Sequence, residues 1–409
     1  MMTPLWLVLS AQTRSALFIG NSYVTTNDLP EMVRLVALSL GDTLEVMAVA
    51  PGGYTFQQHA SLPATQQAIA QQGWDFVVLQ EQSQIPAFTP ELVEENCYPF
   101  AQRLVEQVRA NDSCTAPVFY MTWGRENGDA GNCAAWPPVC TYAGMQELLR
   151  ERYLFMAQTN NAACAPVGAV WQQVRAMYPG IDLYIADGSH PTEAGTYLAA
   201  CTFYASLFRR SPVEAWFPVS LGATVGAQLQ SMAADVVLDS LPTWNIGTSD
   251  PDAAFTWSDE GEGVVQFQAG SVVGQHAWFF GTEGGSDAIA PVHVFGSVGP
   301  HTVLHTLTDA CGRMDSSWVE VTVIGTGISN VTEASAYEVA SSAEGALLVQ
   351  GGGRGERLWL YDQLGRELRS SVLVNDALRL SGGDHAHLWR IIAPDGSVHT
   401  GRVKRSVLR

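Results

Sequence analysis

The sequence predicts an α/β domain built on a parallel sheet, followed by small all-β units. Three observations carry this. From residue 15 to about 210, short apolar runs alternate with segments of helical period, the order expected of a parallel sheet with helices on both sides. After about residue 245 apolar residues alternate with Thr, Ser and other polar residues and the pattern breaks at Gly-rich turns, as in an antiparallel sandwich. Near residue 328 a Gly/Ser/Thr linker, "GTGISNVTEASA", leads into a second β-patterned stretch.

In chain order, residues 1–14 hold a short apolar run, Leu5 to Leu9, followed by small residues, which reads as the tail of a secretory signal. The apolar runs predict strands at 16–20, 45–50, 75–80, 117–123 and 183–186, with a further one at 167–171. Asp28 and Glu31 are spaced as a capping box for "LPEMVRLVALSLG", and Gly41 is placed to stop that helix. In "TEAGTYLAACTFYASLF" Ala194, Tyr197, Leu198, Cys201, Ala205 and Phe208 fall on one helical face. The expected division is a signal segment at 1–14, an α/β domain at 15–245, a β-sandwich at 246–326 and a second one at 327–409.

Composition limits the partners. At 409 residues the chain exceeds one domain of roughly 100–200 residues, and 47% hydrophobic content suffices for packed cores. A formal net charge of -19 repels nucleic-acid phosphates and anionic membranes and favours neutral or cationic substrates. No window holds about 18 uninterrupted apolar residues, so no membrane span is expected. The seven cysteines include no CxxC pair, so neither a zinc site nor any other metal or cofactor is expected. Cys133 and Cys140 bracket the loop "CAAWPPVC", where a disulfide would clip a segment with little else to hold it. Cys114 and Cys164 each precede an apolar run and would pair if those runs were neighbouring strands. Cys201, among apolar helix positions, reads as a buried thiol.

A sheet of this kind places reactive groups on loops leaving the carboxyl ends of its strands. Ser22, in "FIGNSY", is on such a loop, with Gly20 allowing the tight exit. A hydroxyl needs an adjacent base to act as a nucleophile. The histidine placed to serve is His190 in "YIADGSHP", three residues after Asp187, whose carboxylate could orient one ring nitrogen while the other faces a hydroxyl. Each residue alone has a plainer role, as turn former, helix-entry residue or loop cap. Together they form a nucleophile, a base and its orienting acid.

At this point the sequence resembles a known family. "FIGNSY" is similar to the first block of the SGNH, or GDSL-type, serine hydrolases, with Asn21 where that block usually has Asp, and "DGSHP" resembles their last block. The resemblance covers residues 15 to about 210. It implies a flavodoxin-like three-layer α/β/α sandwich that cleaves esters, often acyl groups on carbohydrates or lipids, with Ser22 as nucleophile, His190 as general base and Asp187 as its orienting acid. It also implies oxyanion donors: the N–H of Ser22, a glycine after the second strand, here Gly53, and an Asn side chain after the third. "FVVLQEQSQIP" has no such Asn; Gln80 is the first choice to replace it, with Gln82, Ser83 and Gln84 as alternatives. Trp123 either lines the pocket, stacking on a sugar or acyl group, or closes the core, and the loop 125–140 is long enough to cover the site.

Further along, "WFFG", "PVHVF" and "GPHTVLHTLTDACG" resemble a polycystic-kidney-disease (PKD) type immunoglobulin-like module, with Phe279 where the family usually has Asp and His293 as an edge residue. "LWLYDQLGREL" and "APDGSVHTGRVKR" resemble the C-terminal sorting domain of the type IX secretion system, which implies the secretion machinery as a partner and a secreted or surface location. The combined expectation is a secreted serine esterase removing acyl, chiefly acetyl, groups from carbohydrate esters. The alternative is a carbohydrate-binding or adhesion protein with a catalytically weak hydrolase domain.

Overall fold

A computed structural model of the chain describes residues 12–323 and, beyond them, 338–341, 347–350, 356–361, 367–372, 377–380, 388–392, 398–402 and 404–405. The expected leader, up to residue 11, and the linker near residue 328 lie outside the described residues. The chain divides into two compact units, residues 1–249 and 250–409.

The first unit is a flavodoxin-like α/β/α fold. Its strands are β1 (Thr13–Ile19), β2 (Thr43–Val49), β3 (Phe76–Leu79), β4 (Ala116–Tyr120) and β5 (Ala163–Ala165), all parallel, in the order β2-β1-β3-β4-β5. The helices are α1 (Ser22–Thr25), α2 (Leu29–Ser39), α3 (Phe56–His59), α4 (Pro63–Ile69), α5 (Pro90–Asn96), α6 (Tyr98–Asn111), α7 (Tyr142–Thr159), α8 (Val167–Met177), α9 (Glu193–Phe208) and α10 (Gly222–Leu238). From β1 the chain steps one way to β2 and then the other way to β3. Right-handed crossovers therefore put α2 and α4 on opposite faces, and α9 packs beside α2. A sheet covered on both faces needs apolar residues at every position, which is why "ALFI" and "FVVL" read as unbroken runs, buried throughout except for the partly exposed Phe76.

Register sets up the site. Ile19 lies beside both Val49 and Leu79, so the chain leaves β1, β2 and β3 at one level of the sheet, near its topological switch point.

Several expectations require correction. The run at 167–171 is not a strand: Val167, Val170, Trp171 and Val174 are buried at helical spacing in α8, and the fifth strand is the three residues before it. Residues 183–186 contribute only an isolated bridge between Tyr184 and Pro191. Asp28 takes a left-handed conformation and its side chain caps nothing, while Glu31 binds Arg34 instead of closing a capping box. Every residue of α9 from Ala194 to Phe208 is buried, so its apolar surface runs all round, not along one face. Cys133 and Cys140 form a disulfide. Cys164 does not pair with Cys114; it is a free, buried thiol. It stands beside Phe119, five residues along from Cys114, a separation of roughly 16 Å at about 3.3 Å per residue.

The second unit begins with an antiparallel sandwich of two sheets, β10-β7-β6 and β12-β11-β8-β9, from β6 (Phe255–Asp259), β7 (Val264–Ala269), β8 (Gln275–Phe279), β9 (Gly285–Ser286), β10 (Val292–Val294), β11 (Gly299–Thr308) and β12 (Met314–Val323). Phe267, Trp278, Phe280, Val303 and Val321 fill its core. His293 is on the edge strand β10, with its side chain buried against Phe280. Eight more strands, β13 (Glu338–Ser341), β14 (Leu347–Gln350), β15 (Arg357–Tyr361), β16 (Glu367–Val372), β17 (Ala377–Leu380), β18 (Leu388–Ile392), β19 (Val398–Arg402) and β20 (Lys404–Arg405), form two four-stranded sheets. Among the described residues no helix is long and apolar enough to cross a membrane.

Candidate active site

β1 ends in a turn that only glycine fits. A Cβ on Gly20 would lie 2.5 Å from Oε1 of Gln80 and 2.8 Å from Cγ2 of Val24, so a side chain here would push the turn off the sheet. Asn21 follows, buried and fully engaged. Its N–H donates to Gln80 Oε1 at 2.8 Å, its Nδ2 donates to Tyr54 O at 3.0 Å, and its Oδ1 caps α1 by accepting from Tyr23 N. An asparagine serves where an aspartate could not, because one of these contacts requires a side-chain donor. Ser22, partly exposed, is then the first residue of α1, where a backbone N–H has no intrahelical acceptor.

The loop at residues 187–190 brings the other groups to it. Asp187 Oδ1 accepts the N–H of both Ser189 and His190 at 2.9 Å, and Oδ2 lies 2.6 Å from His190 Nδ1. His190 Nε2 lies 2.9 Å from Ser22 Oγ. A carboxylate on one ring nitrogen leaves the other free to accept the serine proton. Burial works against charge on Asp187, but the hydrogen bonds from the His190 ring and the two backbone N–H groups outweigh it and hold the carboxyl below its ordinary range.

Three aromatic rings brace this loop from inside. Trp123 is stacked between Tyr23, at 4.7 Å, and Trp171, at 3.8 Å, with no exposed surface, and its Nε1 donates to Ser189 O at 3.0 Å. The expectation that it lines the pocket is corrected: it cannot reach a substrate, and it fixes the backbone between Asp187 and His190. Tyr23 reaches the same loop, with its OH 2.6 Å from Ser189 Oγ and its ring edge-on to His190.

Gln80 also requires correction as an oxyanion donor. Its Oε1 is fixed by the Asn21 N–H, which dictates the amide orientation, and its Nε2 donates to the carbonyl of Glu81. Fully buried, it ties the β1 and β3 loops together, and its amide presents no surface to a ligand. Of the alternatives, Ser83 is buried, and Gln84 Nε2 is held by Asp129 Oδ2 at 2.6 Å. Gln82 is partly exposed, and its Nε2 makes only a 3.2 Å contact with Gln84. Gly53 is exposed in the turn after β2 with φ +72, and the bond from Asn21 to Tyr54 O brings that turn beside Ser22.

Two residues passed over in the sequence complete the arrangement. His59, buried on α3, has its Nε2 2.8 Å from Gly20 O and its Nδ1 2.8 Å from Thr65 Oγ1. The carbonyl requires a donor at Nε2, and burial lowers the ring's pKa and so favours the neutral form, in which Nδ1 accepts from the Thr65 hydroxyl. Glu81, beside Gln80, has no exposed surface; burial raises its pKa to about 8 against the N–H groups of Gln82 and Phe56 that lower it. A buried Glu next to a strand end was the available sequence signal, since such a carboxyl must find donors.

No protein-family model matches the chain, and no curated protein matches it. Solved structures similar to it include a DUF4886 family protein from Bacteroides uniformis, at 19% identity over 55% of this chain and 95% of that one, TM-score 0.48. Another, from Slackia heliotrinireducens, is described as a candidate SGNH hydrolase, at 29% identity over 47% of this chain and 97% of that one, TM-score 0.39. A third is the PKD1 domain of the Vibrio cholerae metalloprotease PrtV, at 27% identity over 19% of this chain and 99% of that domain, TM-score 0.18.

Proposed function

We propose that the protein is a serine ester hydrolase in which Ser22 is the nucleophile, His190 the general base and Asp187 the acid that orients it. The observation that supports this reading is the unbroken line from Asp187 Oδ2 to His190 Nδ1, 2.6 Å, and from His190 Nε2 to Ser22 Oγ, 2.9 Å. In this mechanism Ser22 Oγ attacks the ester carbonyl as its proton passes to His190 Nε2, and Asp187 stabilises the imidazolium. The N–H groups of Ser22 and Gly53 receive the oxyanion, with Gln82 as the side-chain donor in place of Gln80. Collapse breaks the ester C–O bond, and His190 returns the proton to the leaving alcohol. Water, deprotonated by His190, then releases the acid and frees Ser22.

The substrate class in this proposal is an acylated, chiefly acetylated, carbohydrate. Residues 15–245 form the hydrolase, 246–326 a PKD-type spacer and 327–409 a sorting domain that delivers a secreted or surface-held enzyme. Purified protein is expected to hydrolyse short-chain nitrophenyl esters, and Ser22→Ala to abolish this without changing the fold. No hydrolysis by the wild type would favour the carbohydrate-binding reading.

A further inference from the structure

Glu81 takes no part in that relay, yet it is a fully buried carboxyl at the end of the strand beside the nucleophile's. Its Oε1 accepts the N–H of Gln82 at 2.6 Å and of Phe56 at 3.0 Å, and its Oε2 lies 3.1 Å from the same Phe56 N–H. Phe56 opens α3, three residues after Gly53, and α3 carries the His59 that holds Gly20 O. One carboxyl thus joins the two segments, β2 loop and β3 loop, that supply Gly53 and Gln82. The other joints in this corner, Gln80 to Asn21, Asn21 to Tyr54 and His59 to Gly20, all involve the nucleophile's loop.

Resting on the reading of Ser22 as nucleophile, we propose that Glu81 is a positioning residue, a brace that fixes the Gly53 and Gln82 donors relative to each other for the developing oxyanion. A neutral brace suits the task. A carboxylate in this low-dielectric corner would oppose negative charge forming on the substrate, whereas a carboxylic acid holds the same two N–H groups without that field. Burial keeps the acid protonated up to about pH 8. The ionisable groups facing it are Cys97, between α5 and α6, and Tyr153 on α7; burial pushes both well up, so both are neutral and offer Glu81 no counter-charge.

The test uses the full chain with a short-chain nitrophenyl ester and compares Glu81→Ala with Glu81→Gln. Alanine leaves the buried N–H of Phe56 and the partly buried N–H of Gln82 without their carboxyl partner and is expected to lower kcat by about 10–100-fold with KM within about twofold. Glutamine keeps an acceptor at the Oε1 position and cannot ionise. It should keep kcat within about threefold at neutral pH, and it should lack the decline in kcat expected of the wild type above pH of about 8. An unchanged kcat in a folded Ala variant, or an alkaline decline identical in wild type and Gln variant, overturns the proposal. The glutamine profile decides the matter if the Ala variant does not fold. Labelling by a fluorophosphonate separates the two readings: adducts on Ser22 in every variant alongside those negative outcomes sink only the brace, whereas a wild type that neither labels nor turns over sinks both.

Discussion

Two carboxyls serve the candidate site from opposite surroundings. Asp187 has 43% of its side chain exposed, receives three donors and is held below the ordinary carboxyl range, so it stays charged. Glu81 is wholly buried, receives two N–H donors and is pushed up to about 8, so it stays neutral. Hydrogen bonds win at Asp187 because water still screens the charge; desolvation wins at Glu81 because nothing does. The division matches the proposed chemistry, in which an imidazolium formed at His190 would be stabilised by a nearby negative charge and an oxyanion would not.

The sharpest break in this comparison is Asp187→Asn. An amide can present the wrong group to His190 Nδ1 and fix the wrong tautomer, so kcat should fall by about 10⁴-fold while circular dichroism stays native. Next in size, Gly20→Ala forces a Cβ against Gln80 and Val24. Overpacking of this kind costs about 1–3 kcal/mol, visible as a lower Tm together with loss of turnover, because the joint between Asn21 and Gln80 is what seats Ser22. A third prediction concerns pH and stability. The folded state favours protonated Glu81, so its contribution is complete below the ordinary value of 4.5 and is lost as pH rises toward about 8. Tm should therefore fall over that window in the wild type more than in Glu81→Gln. Asp187 contributes with the opposite sign, its share being present above the ordinary carboxyl range and lost as pH falls below it. The smallest effect is expected from Trp123→Phe, which keeps the ring stack but removes the bond to Ser189 O, for about 1 kcal/mol of stability and a several-fold loss of kcat at unchanged KM.

What the sequence made legible, and what it hid, follows from how local each signal is. Asp187, Ser189 and His190 interact within four residues, and the turn of Gly20, Asn21 and Ser22 is equally compact, so both were readable as short motifs. The parallel sheet was readable because a doubly covered strand must be apolar throughout. Gln80 was misread because its polar group is consumed by Asn21, 59 residues away in sequence, a contact that no window displays. Trp123 misled similarly: its place at a strand end suggested the pocket, but the partners that bury it come from α1 and α8. For residues 167–171 the error was one of period, since a short apolar run reads as a strand until Val174 extends it to a helical face.

The central claim is that Ser22 is the nucleophile, and covalent trapping tests it most directly. Protein treated with a fluorophosphonate and digested for mass spectrometry should carry one adduct, on the peptide containing Ser22. The adduct should be absent from Ser22→Ala and form far more slowly in His190→Ala. No adduct, or one on Ser83 or Ser189 that survives Ser22→Ala, would contradict the account.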